Sequence, residues 1–252
     1  LASEDPRRPE ADNPFQSPSV VTNADAVDIK VAAPSGALVL ICAVFCATIK
    51  LVLYISFLGF STENFFAYGI LIFTGGVYGI GVAWLIHVVR TRQFALMMPG
   101  HWRLIAASTA LITEVFTMAL FHVQDLATGE TDFFYVDLFF SGLGHLLAAI
   151  FYLLVINYNQ ERGIWRTYAW LAMIYYFLMA FLYPMLIGDL MGHLFIPLLV
   201  IQRLLTLALL CACLTGIVND YRRRTPRDMY HYLGLVLGFA LVWFSETELF
   251  QF

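Results

Sequence analysis

The sequence predicts an all-α polytopic membrane protein with seven transmembrane helices, and three observations predict it. Of 252 residues, 60% are hydrophobic and only 13% are charged, about half the roughly 25% charged share of a soluble domain. The apolar residues gather into seven stretches, each long enough at ~1.5 Å per residue to cross a hydrocarbon layer of ~30 Å. Twelve of the fourteen cationic residues fall on one side of those stretches and none on the other. This composition excludes a soluble globular enzyme, a disordered chain and a disulfide-stapled secreted domain. The net charge of −4 provides no basic stripe for nucleic acid.

The elements follow in order. Residues 1–33 are polar, with Pro6, Pro9, Pro14 and Pro18 among six acids. Too little apolar surface is available there to offset ordering entropy, so an extended tail is expected. The spans expected next are 36–58, 66–90, 103–123, 133–157, 165–188, 191–216 and 230–251. All are helical, because backbone groups in lipid need partners within their own segment. The links 59–65 and 189–190 are short enough to make spans 1/2 and 5/6 tight antiparallel hairpins. No internal repeat of the transporter kind is visible.

Orientation follows from charge. The odd-side segments hold Arg7, Arg8, Lys30, Arg90, Arg92, Arg103, Arg162, Arg166, Arg222, Arg223, Arg224 and Arg227. The opposite side holds no cation, but carries Glu63, Asp125, Glu130, Asp132, Asp189, Glu246 and Glu248. The positive-inside rule therefore predicts the N-terminus inside and the C-terminus outside. G-protein-coupled receptors and retinal rhodopsins run the other way, and span 7 has no Schiff-base lysine. No Asn-X-Ser/Thr sequon occurs, which favours a bacterial or organellar membrane over a glycosylated cell surface.

Ionisable groups inside spans cost several kcal/mol unless paired or wet. Lys50, Glu114, His145 and Arg203 are such groups. Lys50, Glu114 and His145 each lie eight residues from the outer end of their span or from an outer polar residue, at about 12 Å depth. The depth shared by these three permits a buried network, and together with Arg203 they make an intramembrane polar network the first candidate site. Near the outer surface, His122, Asp189 and His193 form an alternative metal set, Asp189 and His193 being four apart. Their bland reading is as interfacial residues and a helix cap. Ser141 and His145 invite a hydrolase reading, but only His145 is deep, and a hydrogen-bonded core histidine is the simpler use. Cys42, Cys46, Cys211 and Cys213 read as small packing residues, since 211 and 213 point apart on a helix.

Trp84, Arg90 and Phe94, then Pro99-Gly100-His101, then Thr113-Glu114-Val115 form a passage from span 2 to span 3. This passage resembles that of cytochrome c oxidase subunit III. Ser141-Gly142, the turn at Gly188-Asp189, and His231-Tyr232 with Trp243 extend the resemblance. The chain departs from that pattern in its single shifted His145, in its sixth span, and in Gly234 where an aspartate is expected. The resemblance implies a membrane domain over 34–252 divided into a two-helix unit, 36–90, and a five-helix unit, 103–251. It implies a non-catalytic, lipid-binding subunit of a respiratory oxidoreductase complex, in the mitochondrial inner membrane or the bacterial plasma membrane. The subunit binds no cofactor directly; haem and copper belong to partner subunits. Trp84, Arg90, Phe94 and His101 would line the phospholipid cleft, beside a catalytic oxidase subunit, and the chain would support proton-coupled electron transfer. Two other classes compete: an intramembrane metal-dependent lipid hydrolase using Glu114, His145, Asp189 and His193, and a seven-helix transporter or channel. A glycine-lined face of span 2, Gly75, Gly76, Gly79 and Gly81, would suit a partner subunit or packing within this chain.

Overall fold

The computed structural model describes residues 32–58, 60, 65–128, 133–185 and 191–248, with backbone alone at 57–58, 114, 118, 121–128, 133–141, 183–185, 191–196, 199 and 241–248. The chain divides into Leu1–Lys30 and Val31–Phe252, and the described residues all belong to the second unit. The tail expected at 1–33 therefore lies almost entirely outside them.

The described residues are all-helical. In order they form α1 (Gly36–Leu58), α2 (Phe65–Thr91), α3 (Pro99–Thr128), α4 (Phe133–Tyr158), α5 (Ile164–Met185), α6 (Met191–Arg223) and α7 (Met229–Glu248), with one 3₁₀ turn at Phe94–Leu96. Three helical segments are long and apolar enough to cross a membrane: Gly36–Ser56, Phe65–Thr91 and Val200–Arg223. They mark a helical membrane protein.

Local chemistry sets the helix ends. Ser35 starts α1, its hydroxyl accepting from the Leu38 N–H at 3.3 Å, as an N-cap residue does. Pro99 opens α3, where the missing N–H costs nothing. Arg92 and Arg224, just past α2 and α6, take φ of 56° and 51°, the left-handed conformation that closes many helices.

Helix α1 packs on α2, α2 packs on α3, and α3 also meets α4 and α7; α4 lies on α5, and α5 on α6. Helix α3 is thus the hub. Glycines of α2 bring two of these pairs within backbone contact. A Cβ at Gly79 would lie 2.3 Å from the Cys42 carbonyl oxygen of α1, and one at Gly81 would lie 2.1 Å from the Leu104 carbonyl oxygen of α3. Gly75 also faces α1, while Gly76 faces open space. Three of the four span 2 glycines are therefore spent inside the chain. The outward faces are apolar instead, as at Leu40, Ile41, Val44 and Phe45 of α1.

Candidate functional site

The links α2–α3, α4–α5 and α6–α7 lie at one end of the helices and are tied to each other. Asn159, just past α4, donates through Nδ2 to the Phe94 and Met97 carbonyls, both at 3.0 Å. The Gln160 N–H donates to the Ala95 carbonyl at 2.9 Å. Those two residues hold the α2–α3 link on the α4–α5 link.

Arg227 fastens the third link. Its guanidinium donates to both oxygens of Asp220, at 2.8 and 3.1 Å, and to the Glu161 carboxylate. The Trp165 indole N–H donates to the same Asp220 at 2.9 Å. Burial works against the Arg227 charge, but the two carboxylates outweigh it and hold its pKa above the usual arginine value. Such planar, charge-assisted contacts are the strong class of hydrogen bond.

A reciprocal knot joins α3 to α7. Asp228 stands immediately before α7 and accepts the His231 N–H at 2.7 Å, an N-cap contact. The His231 side chain accepts the Gly100 N–H of α3 through Nδ1 at 3.2 Å. His101, next to Gly100, accepts the Met98 N–H on Nδ1 at 3.3 Å. That leaves its proton on Nε2, which donates to Asp228 at 3.0 Å. Helix α7 therefore caps α3, and α3 holds in place the residue that caps α7. Trp84 covers the knot, stacked on the His101 ring at 3.6 Å with planes 18° apart.

The electrostatics match this geometry. Burial lowers the His101 pKa, with Asp228 opposing it only in part, so His101 is a neutral donor. Burial raises the Asp228 pKa, but the hydrogen bonds from His101 and from the His231 backbone outweigh it and bring it below the usual carboxylate value. The pair is a neutral imidazole held by an anion.

Arg103 departs from its expected place among the inner link residues. It lies in the core at 1% exposure, because α3 begins at Pro99 and carries position 103 a full turn into the bundle. Its guanidinium donates to the Tyr176 hydroxyl at 3.3 Å and to the Gly238 carbonyl at 3.2 Å.

The other sequence candidates distribute as follows. Trp84 and His101 are fully buried. Arg90 is exposed in the last turn of α2, and Phe94 is half-buried, edge-on to Phe151 at 6.1 Å. Lys50 sits 4.7 Å over the Tyr78 ring, His145 lies 5.9 Å from the Tyr176 ring, and Arg203 is half-buried on α6. The side chains of Glu114, His122, Ser141 and His193, and all of Asp189, lie outside the described residues. The four cysteines are free thiols. Among the described residues no cluster of His, Cys, Asp or Glu has the makings of a metal site.

Sequence reasoning missed Asp228, Arg227, Asp220, Glu161 and Asn159. One signal was readable: an aspartate directly before an apolar helical run, Arg-Asp-Met-Tyr-His at 227–231, is an N-cap pattern. The partners of Arg227 had none, since Glu161 lies on another link and Asp220 in the last turns of α6. Chemically, the assembly fixes three links in register and keeps its one histidine–carboxylate pair covered by Trp84.

Comparison of the chain with known protein families, with characterised proteins and with solved structures finds no match.

Proposed function

We propose that this protein is a non-catalytic accessory subunit of a respiratory terminal oxidase, of the kind that subunit III of cytochrome c oxidase exemplifies. In this reading it spans the mitochondrial inner or bacterial plasma membrane seven times, N-terminus inside and C-terminus outside. One observation supports it above the rest. Trp84, His101 and His231, which carry the resemblance from separate parts of the sequence, meet in one fully buried knot. Their use there is to fasten helices, as befits a subunit that performs no chemistry.

The lipid role narrows accordingly. Arg90, exposed at the same end, is the residue suited to pair a phospholipid phosphate. Trp84 and His101 support that wall from within. The apolar outward face of α1 offers the surface for lipid or for the catalytic subunit.

The test is extraction from the native membrane in mild detergent, followed by haem absorbance and mass spectrometry of whatever co-migrates. Co-migration with a haem–copper catalytic subunit is the expected result. A chain that runs alone and haem-free overturns the proposal.

A further inference from the structure

We propose that Arg103, Tyr152 and Tyr168 form a binding site for a small monovalent anion of the halide class, a site that does not depend on the oxidase reading. The argument begins with charge. Arg103 is 1% exposed and remains a cation in any protein environment. Its hydrogen-bond acceptors, the Tyr176 hydroxyl and the Gly238 carbonyl, are both neutral. Among the described residues no carboxylate pairs with it within 4 Å. The faces of Phe239 and Tyr176, 5.0 and 5.9 Å from the guanidinium carbon, compensate the charge in part. A buried cation with so little counter-charge is costly.

The second observation is a set of donors without acceptors. Arg103 Nε, the Tyr152 hydroxyl and the Tyr168 hydroxyl are all buried without a partner in good hydrogen-bond geometry, while Tyr152 stands close to both Arg103 and Tyr168. Arg103 Nε can only donate, and each phenol can donate as well. The rings belong to one frame: Tyr152 stacks on Tyr176 at 5.7 Å and meets Tyr168 at 6.5 Å. These residues come from α3, α4 and α5, so three helices turn donors toward one cation. A group that accepts from all three donors and carries one negative charge answers both deficits. A halide does so from any direction. Phosphate or sulfate brings a second charge and more acceptor sites than the surrounding core can meet. A water would satisfy donors but leave the charge, and is an outcome of the test.

The full chain, in whatever assembly it is extracted, is equilibrated in sodium gluconate and titrated with sodium bromide at constant ionic strength. Thermal unfolding is followed, since a ligand bound only by the folded state raises the midpoint with concentration. The expected result is a saturable rise for the native sequence. In the Tyr152→Phe/Tyr168→Phe double variant, which keeps the rings and the packing, half-saturation needs about tenfold more bromide or more, from two lost hydrogen bonds to a charged group. Arg103→Met removes the rise; should that variant fail to fold, the double variant still decides. Anomalous diffraction at the bromine edge is expected to place bromide within hydrogen-bond distance of Arg103 Nε. Equal midpoints in gluconate and bromide, or bromide density away from Arg103, overturn the proposal. The first of these would also follow if water, or an ionised tyrosine, met the charge.

Discussion

His101 and Asp228 make stability depend on pH. In the unfolded chain His101 titrates near its ordinary value of 6.5, and in the folded chain lower. Between those values the unfolded state binds the extra proton, so stability falls as pH drops below about 6.5. The contribution of Asp228 has the same sign but a lower window: it is full above 3.8 and fades below it. Lowering the pH from 7.5 to 5.5 is therefore expected to destabilise the fold through His101, by at most ~1.4 kcal/mol, the equivalent of one proton over one pH unit. Denaturant unfolding in detergent at the two pH values measures it. His101→Gln should reduce the difference without abolishing it, since the buried His231 remains, and an undiminished slope in that variant would refute the assignment. At this scale the sequence was only partly legible. Trp84 and His101 stood out as residues with a purpose, but their mutual stacking is a tertiary fact. Arg103 misled, because a cation beside an expected link looks like surface. Only the start of α3 at Pro99, itself a readable signal, carries it inward.

At the scale of helices, the apolar runs were readable because each exceeds what a soluble helix needs and none is broken by paired Gly and Pro. What the runs could not say is which face meets which neighbour. A helix that is apolar all round has no directional signal, and α2 is such a helix. Its glycines decide the matter in space: Gly79 admits α1 and Gly81 admits α3. Gly81→Val should therefore separate α2 from α3, with a loss in the range of about 1–3 kcal/mol or more for overpacking. Gly76→Ala, which meets nothing within 4 Å, should be neutral or slightly stabilising, as helix propensity favours Ala by about 1 kcal/mol. Thermal midpoints of the two variants, compared under one detergent condition, check the pair. Equal losses at 76 and 81 would mean that α2 is rotated from this arrangement.

At the scale of the whole chain, the described residues form a path, α1 to α2 to α3, with α3 also joined to α4 and α7. The α1–α2 hairpin thus reaches the remaining helices mainly through α2. The seam between α3 and α7 is the tightest crossing: a Cβ at Gly100 would lie 1.9 Å from the His231 carbonyl oxygen, and one at Gly234 would lie 2.2 Å from the Gly100 carbonyl oxygen. None of this was legible in advance, since the two glycines belong to separate helices whose meeting no periodicity announces.

The knot at that seam also has a place in time. A chain made from its N-terminus completes α3 long before Asp228 and His231 leave the ribosome. Until then the Gly100 N–H and the His101 Nε2–H lack the acceptors that hold them in the finished fold. Synthesis of α7 is thus the event that closes α3. A chain stopped after Arg223 should still enter the membrane but be cleared faster in a pulse-chase experiment, and co-expression of residues 224–252 should restore its lifetime. An unchanged half-life would show that the seam contributes nothing to survival. With the seam in force, cellular quality control can tell a chain that has gained α7 from one that has not.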